Sequence, residues 1–370
     1  MGEEGVRELG PELELLLLAA RQQLNEAQAS QLADVVRHGV DWDSVLRRGR
    51  TLGVHGFLQR HLARIDSNVP GWVREELEKQ HRFRAIANLK NWNQLREIGQ
   101  AFNRAGIPVG VLKGAYLAFW VYEDPALRPM SDLDLLCRQE DWDAVSKVLG
   151  ELGYRQDAQN PLSFAMHPPP FKRARSTTVE MHTSLRGRWT GDELLGRSRI
   201  VEREGVCFHA LGFQDLVCYL VAHIAQHSHT PRPPLYWFAD LHEVIGGAPD
   251  CGDPSSLFEK DAAQARVWSF LKAYWLDSPR LVPGARVLPP HQEIAGRIAG
   301  WEVSRPRHLQ AVRNMWRIRG LRLKLAYLKS LAFPSAEHMI RAGQMKPGEN
   351  VCWCHVRRLL SISRQVIGLR

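Results

Sequence analysis

Hydrophobic and polar positions along this chain follow two rhythms. Through the first hundred residues apolar side chains recur every three or four positions. This spacing predicts helices over 13–24, 30–38, 42–52 and 57–65 and a long, largely polar helix over 72–105. From residue 108 the pattern shortens. PVGVL at 108–112 reads as a strand, Lys113-Gly114 as its turn and 115–122 as an apolar helix. Strands are expected over 132–137, 154–157 and 177–183, with a helix over 141–152. Past Leu185 the helical rhythm returns, most clearly over 213–227 and 235–245, with Pro231 to Pro234 between them. The expected fold class is α+β: a small mixed-sheet core over 106–210, flanked by an N-terminal helical region over 1–105 and a C-terminal one over 211–370.

Composition supports a folded chain with a sizeable core, since 44% of its 370 residues are hydrophobic. The longest apolar runs fall far short of a membrane span, and Met1 is followed by Gly-Glu-Glu instead of a basic leader. The expectation is a cytoplasmic protein with no membrane partner. Six cysteines without framework spacing fit reduced thiols. The net charge of +9 is uneven. Residues 303–370 hold 14 Lys and Arg against Glu337 and Glu349, so this tail carries +12 and the remainder −3. Such a tail suits an anionic partner such as RNA, or a set of helices whose arginines lie over their own apolar stripe of Leu309, Val312, Trp316 and Leu325.

Chemistry enters at RPMSDLDLLC, residues 128–137. Asp132 and Asp134 lie two apart in a strand and so share a face, while Leu133 and Leu135 face the core. Two carboxylates about 4 Å apart repel by roughly 4 kcal/mol at an effective dielectric near 20, so a cation is expected beside them. Asp41/Asp43 and Asp141/Asp143 repeat the spacing, but both precede helical runs, where aspartates serve as caps. Glu180, in the strand-like VEMH, is the candidate third carboxylate, and His182 shares its face. Such a set suits Mg²⁺ or Mn²⁺. Upstream, the order strand, Lys113-Gly114, helix is one that binds phosphate at a helix start. Lys113 and Arg128 are placed to neutralise a triphosphate, and Arg128 has pairing with Asp132 as its alternative.

The ordered set LKGAYLA, RPMSDLDLL and VEMHTSL resembles the uncharacterised nucleotidyltransferase family of the DNA polymerase β superfamily, with the diagnostic motifs inside about 107–185. The resemblance implies metal ligation by Asp132, Asp134 and Glu180, nucleotide contacts from Lys113 and Gly114, and transfer of NMP from an NTP. The acceptor is expected to be a hydroxyl or phosphate of a small-molecule or peptide intermediate in a biosynthetic pathway. Modification of tRNA or of a protein, and an inactive binding protein of the same fold, are the alternatives. One departure is that Lys-Gly stands where many superfamily members have Gly-Ser. His223 and His227 have the i,i+4 spacing of helical metal ligands without the HExxH pattern, and with Asp240 they are expected near the cleft. Cys352-Trp-Cys354-His355 reads as a helix start before it reads as a metal site.

Overall fold

Five helices precede the first strand in the computed structural model, which describes residues 10–65, 68–156, 168–185, 189–227, 234–276, 349–355 and 357. Helix α1 (Pro11–Ala19) buries a continuous run of leucines. Helix α2 (Glu26–His38) begins with a capping box in which Asn25 accepts from the Gln28 N–H and the Gln28 side chain accepts from the Asn25 N–H. Asp41 accepts from the Ser44 N–H at 3.1 Å and caps α3 (Trp42–Leu52), the role its sequence context predicted. Helices α4 (His55–Leu62) and α5 (Gly71–Ala105) follow. The polar look of α5 conceals a working inner face: Leu77, Trp92, Leu95, Ile98 and Phe102 are buried, and so are Asn88, Asn91 and Gln94.

The sheet has seven strands in the order β3-β4-β5-β2-β1-β9-β8. They are β1 (Gly110–Val111), β2 (Asp132–Leu136), β3 (Arg155–Gln156), β4 (Phe171–Lys172), β5 (Thr178–His182), β8 (Arg199–Arg203) and β9 (Val206–Ala210). Strands β6 (Ser184–Leu185) and β7 (Trp189–Thr190) form a separate antiparallel pair. The main sheet is mixed: β2 runs parallel to β5 and antiparallel to β1, while β1 pairs parallel with β9. Strand β2 is therefore central, and Leu133, Leu135 and Leu136 are wholly buried. Between β1 and β2 the chain runs through the short α6 (Lys113–Tyr116), which continues as a π-helical turn over Leu117–Val121. Helices α7 (Trp142–Glu151) and α8 (Gly191–Gly196) accompany the sheet. Helices α9 (Phe213–His227), α10 (Tyr236–Gly246) and α11 (Ala262–Leu271) follow it.

One expectation is corrected. The chain does not return to helices after Leu185: residues 199–210 make the β8–β9 hairpin at the sheet edge. Its turn is Glu204-Gly205, both with left-handed φ (51° and 76°), and Val201, Val206, Phe208 and Ala210 are its buried residues.

The chain divides into two compact units, and every element named so far lies in the first. In the second, residues 351–355 are helical, and the Asn350 side chain accepts from the Trp353 N–H at 3.2 Å, so Cys352-Trp-Cys354-His355 lies at a helix start. The rest of the basic tail lies outside the described residues. All six cysteines are unbridged. Among the described residues no helix is long and apolar enough to cross a membrane.

Candidate active site

The site is set by the register of β2 against β5. Asp132 pairs with Thr178, Asp134 with Glu180 and Leu136 with His182, all in a parallel ladder. Side chains of registered parallel partners share a face, so Asp132, Asp134, Glu180 and His182 project together while Leu133, Leu135, Val179 and Met181 fill the core behind them. The alternation read from DLDLL and VEMH is the cause.

The positive group that the fold sets beside the aspartates is Lys113, which the sequence placed on a triphosphate. The β1–β2 ladder places Val111 opposite Leu135, and the Leu112 N–H donates to the Asp134 carbonyl at 3.0 Å. The next residue can therefore reach back, and Lys113 Nζ lies 3.2 Å from Asp134 Oδ1. Its backbone is left-handed, with φ 36°, a conformation that disfavours any residue bearing a Cβ. Strain of this kind, roughly 1–3 kcal/mol, persists where surrounding structure enforces it and clusters at functional positions. The ammonium also stands 5.6 Å from the ring centre of Tyr219 on α9.

Asp134 is almost fully buried. Besides Lys113, His182 Nε2 meets the same oxygen at 2.7 Å. Burial alone would raise the Asp134 carboxyl pKa, yet Lys113 and His182 outweigh it and hold the group well below the ordinary carboxylate range. Burial would likewise lower the Lys113 pKa, but Asp134 and Tyr219 push it up, so both partners are ionised. Asp132 and Glu180 behave oppositely. Burial, and then the neighbouring carboxylates, shift both upward. One site thus holds a carboxylate fixed in its charged form beside two that take protons more readily.

Arg128, expected on a triphosphate with Asp132 as its alternative partner, is ion-paired with Asp240. Its Nε lies 2.9 Å from both oxygens of Asp240 on α10, and its ring neighbour Tyr236 stacks 4.4 Å from the guanidinium carbon. Tyr122 donates to Asp240 Oδ1 at 3.0 Å, and Arg128 also donates to the Pro129 carbonyl. Arg128 still stands beside the turn: a Cβ added to Gly114 would come 3.2 Å from Arg128 Nη1 and 2.9 Å from Met130 Cγ. Gly114 is thus required by close packing against the 128–130 segment, while the left-handed backbone belongs to Lys113. Sequence reasoning left Tyr219, Tyr122 and Tyr236 unassigned. Buried Tyr219 on α9, half-buried Tyr236 on α10 and buried Tyr122 just past the π-helical turn look like ordinary core positions until the fold brings them to Lys113, Arg128 and Asp240. His223 meets Trp237 edge-on and His227 meets it at a tilt, at 4.7 and 5.8 Å between ring centres.

The donor set fits a divalent cation. Asp134, Glu180 and His182 each offer one ligand atom, all within 4.8 Å of one another, and this is the group of three that stands out among the described residues. Asp132 is on the same face but outside that trio, and its Oδ2 accepts from Ser131 Oγ at 3.3 Å.

The model of the uncharacterised nucleotidyltransferase family matches residues 38–276, about two thirds of the chain, including every site residue named above. The chain belongs to that family. This nucleotidyltransferase is also similar to a solved structure of the antibiotic-resistance factor ANT(2'')-Ia, at 11% identity and a TM-score of 0.34 over 48% of this chain and 87% of that one. No curated protein matches it in sequence. The mixed α/β architecture agrees with the fold that the sequence resemblance implied.

Proposed function

We propose that this nucleotidyltransferase moves NMP from an NTP to a hydroxyl or phosphate oxygen of a small-molecule or peptide acceptor, at the face formed by Asp132, Asp134, Glu180 and Lys113. The observation that carries this reading is the register that sets Asp134 beside Glu180 with Lys113 against the first carboxylate. A Mg²⁺ or Mn²⁺ ion held by these carboxylates supplies charge stabilisation at the phosphates and lowers the pKa of a bound acceptor oxygen.

Roles for the chain's own groups follow from their environments. The acceptor oxygen attacks the α-phosphorus in line, the bond from that phosphorus to the bridging oxygen of the β-phosphate breaks, and pyrophosphate leaves. Asp134 is a poor proton acceptor, because Lys113 and His182 hold it ionised. Glu180 is the better base, since burial and then its carboxylate neighbours raise its pKa, and it takes the acceptor proton. Lys113, released from Asp134 toward the triphosphate, neutralises charge on it. Arg128, braced by Asp240, fixes the turn that presents Lys113.

The test is thermal stability with each of the four NTPs, with and without Mg²⁺, for the native chain and for the Asp132→Ala, Asp134→Ala double variant, alongside pyrophosphate release. A ligand at 100 times its dissociation constant adds about 2.7 kcal/mol. Stabilisation by an NTP that needs both metal and the aspartates supports the reading. Its absence with all four NTPs overturns it.

A further inference from the structure

We propose that His182 supplies a nitrogen ligand to the bound cation, so that the site prefers Mn²⁺ to Mg²⁺. The inference rests on the proposed nucleotidyl-transfer site and adds to it the identity of one ligand and the class of ion.

The geometry points this way at three levels. His182 ends β5 on the same face as Glu180, two residues away, and the β2–β5 register carries both toward Asp134. Its Nε2 is 2.7 Å from Asp134 Oδ1, and no pair among the ligand atoms of Asp134, Glu180 and His182 is farther apart than 4.8 Å. Two donors about 2.1 Å from one ion stand roughly 3 Å apart at right angles and roughly 4.2 Å apart when opposed, so small side-chain rotations bring all three onto a common centre. His182 is itself only 3% exposed, so its ring is held in place by packing.

Chemistry then separates the ions. Two carboxylates and a neutral imidazole balance the charge of one divalent cation. Mg²⁺ is hard, keeps its waters and takes oxygen donors; Mn²⁺ shares its affinity for carboxylates but, as the first and weakest-binding member of the transition series, accepts an imidazole nitrogen beside them more readily than Mg²⁺ does. Asp132 shares the face beside the trio and accepts from Ser131. The competing role for His182 is to donate Nε2–H to Asp134 and orient it. In that role Nε2 carries a proton and cannot bind a metal, so the two arrangements are exclusive at a given moment.

The experiment uses the full chain and Mn²⁺ alone, without nucleotide or turnover. Free Mn²⁺ is counted by electron paramagnetic resonance, with Mg²⁺ as competitor, and the bound ion is examined by pulsed methods for coupling to an imidazole nitrogen. The expected result is a nitrogen coupling in the native protein that disappears in His182→Gln, with the Mn²⁺-over-Mg²⁺ preference falling about tenfold or more. Glutamine keeps an amide that can hydrogen-bond to Asp134 but removes the imidazole. Bound Mn²⁺ without nitrogen coupling, or a variant that weakens both ions equally, overturns the role of His182 and leaves the nucleotidyl-transfer reading intact. Failure of the folded native protein to bind Mn²⁺ at all overturns the metal site, and the inference falls with it. If His182→Gln does not fold, the nitrogen signal of the native protein decides alone.

Discussion

Arg128 gives its guanidinium to Asp240, 112 residues away, with Nε 2.9 Å from each carboxylate oxygen and Nη2 2.9 Å from Oδ2. Both side chains are almost completely buried. Burial acts against the Arg128 charge, but Asp240 and the Tyr236 ring outweigh it and raise the pKa further. The pair ties α10 to the segment that leads into Asp132. Removing one member leaves a buried charge alone, so Asp240→Ala should cost about 3–5 kcal/mol, while the Arg128→Met, Asp240→Leu double variant should recover most of that loss. Urea denaturation of the three proteins measures it. A loss below about 1 kcal/mol for Asp240→Ala would contradict the brace.

Gly114 allows the turn to lie against Met130 and Arg128, and a methyl group there has no room. Gly114→Ala should cost about 1–3 kcal/mol through overpacking, and should weaken NTP binding more than that loss suggests, because the displaced segment carries Asp132. The melting temperature and its shift with NTP and metal report the two effects separately. Native-like values for both would remove Gly114 from the site.

Lys113 is held in a left-handed backbone and spends its ammonium on Asp134. Lys113→Met should weaken NTP binding about 10- to 100-fold, as expected for losing a charged hydrogen bond of about 1.5–3 kcal/mol. Isothermal titration with each NTP gives the number. An unchanged affinity in the folded variant would confine Lys113 to a structural role.

The central part of the fold was legible because strand and helix periods differ, and DLDLL and VEMH alternate cleanly between a core face and a polar one. The motifs therefore put Asp132, Asp134 and Glu180 on one side of one sheet, as the register does, and Lys113 reaches them from α6. Partner choice was not legible. Arg128 stands four residues before Asp132, but its ion pair comes from α10, and no local pattern encodes a contact across 112 residues. The β8–β9 hairpin escaped for another reason. RIVER and VCFHA mix charged and apolar side chains at an edge, where one flank needs no partner, and the Glu-Gly turn lacks the Asn-Gly signal. Tyr122, Tyr219 and Tyr236, which the fold brings to Lys113, Arg128 and Asp240, give no sequence signal of their own.

The same face should respond unequally to losing each carboxylate. Asp134 is stabilised in its charged form by Lys113 and His182, so its contribution is complete above the unfolded value near pH 4 and is lost as pH falls through the lower folded value. Asp132 is raised by burial and then by Asp134, and Glu180 by burial and then by Asp134 and Asp132, so their charges oppose folding at neutral pH. That penalty lifts as pH falls through their raised folded values. Removing a carboxylate relieves repulsion at Asp132 and Glu180 only, because Asp134 is the one whose loss strands a buried ammonium. Asp134→Ala should lose about 3 kcal/mol at neutral pH, with the deficit shrinking below about pH 4. Asp132→Asn and Glu180→Gln should remain within about 0.5 kcal/mol of the native chain or exceed it, with any surplus shrinking on acidification. Denaturant midpoints for the four proteins between about pH 8 and pH 4 test both halves. Equal destabilisation by all three substitutions, or a surplus that grows as pH falls, would mean that Lys113 and His182 do not single out Asp134.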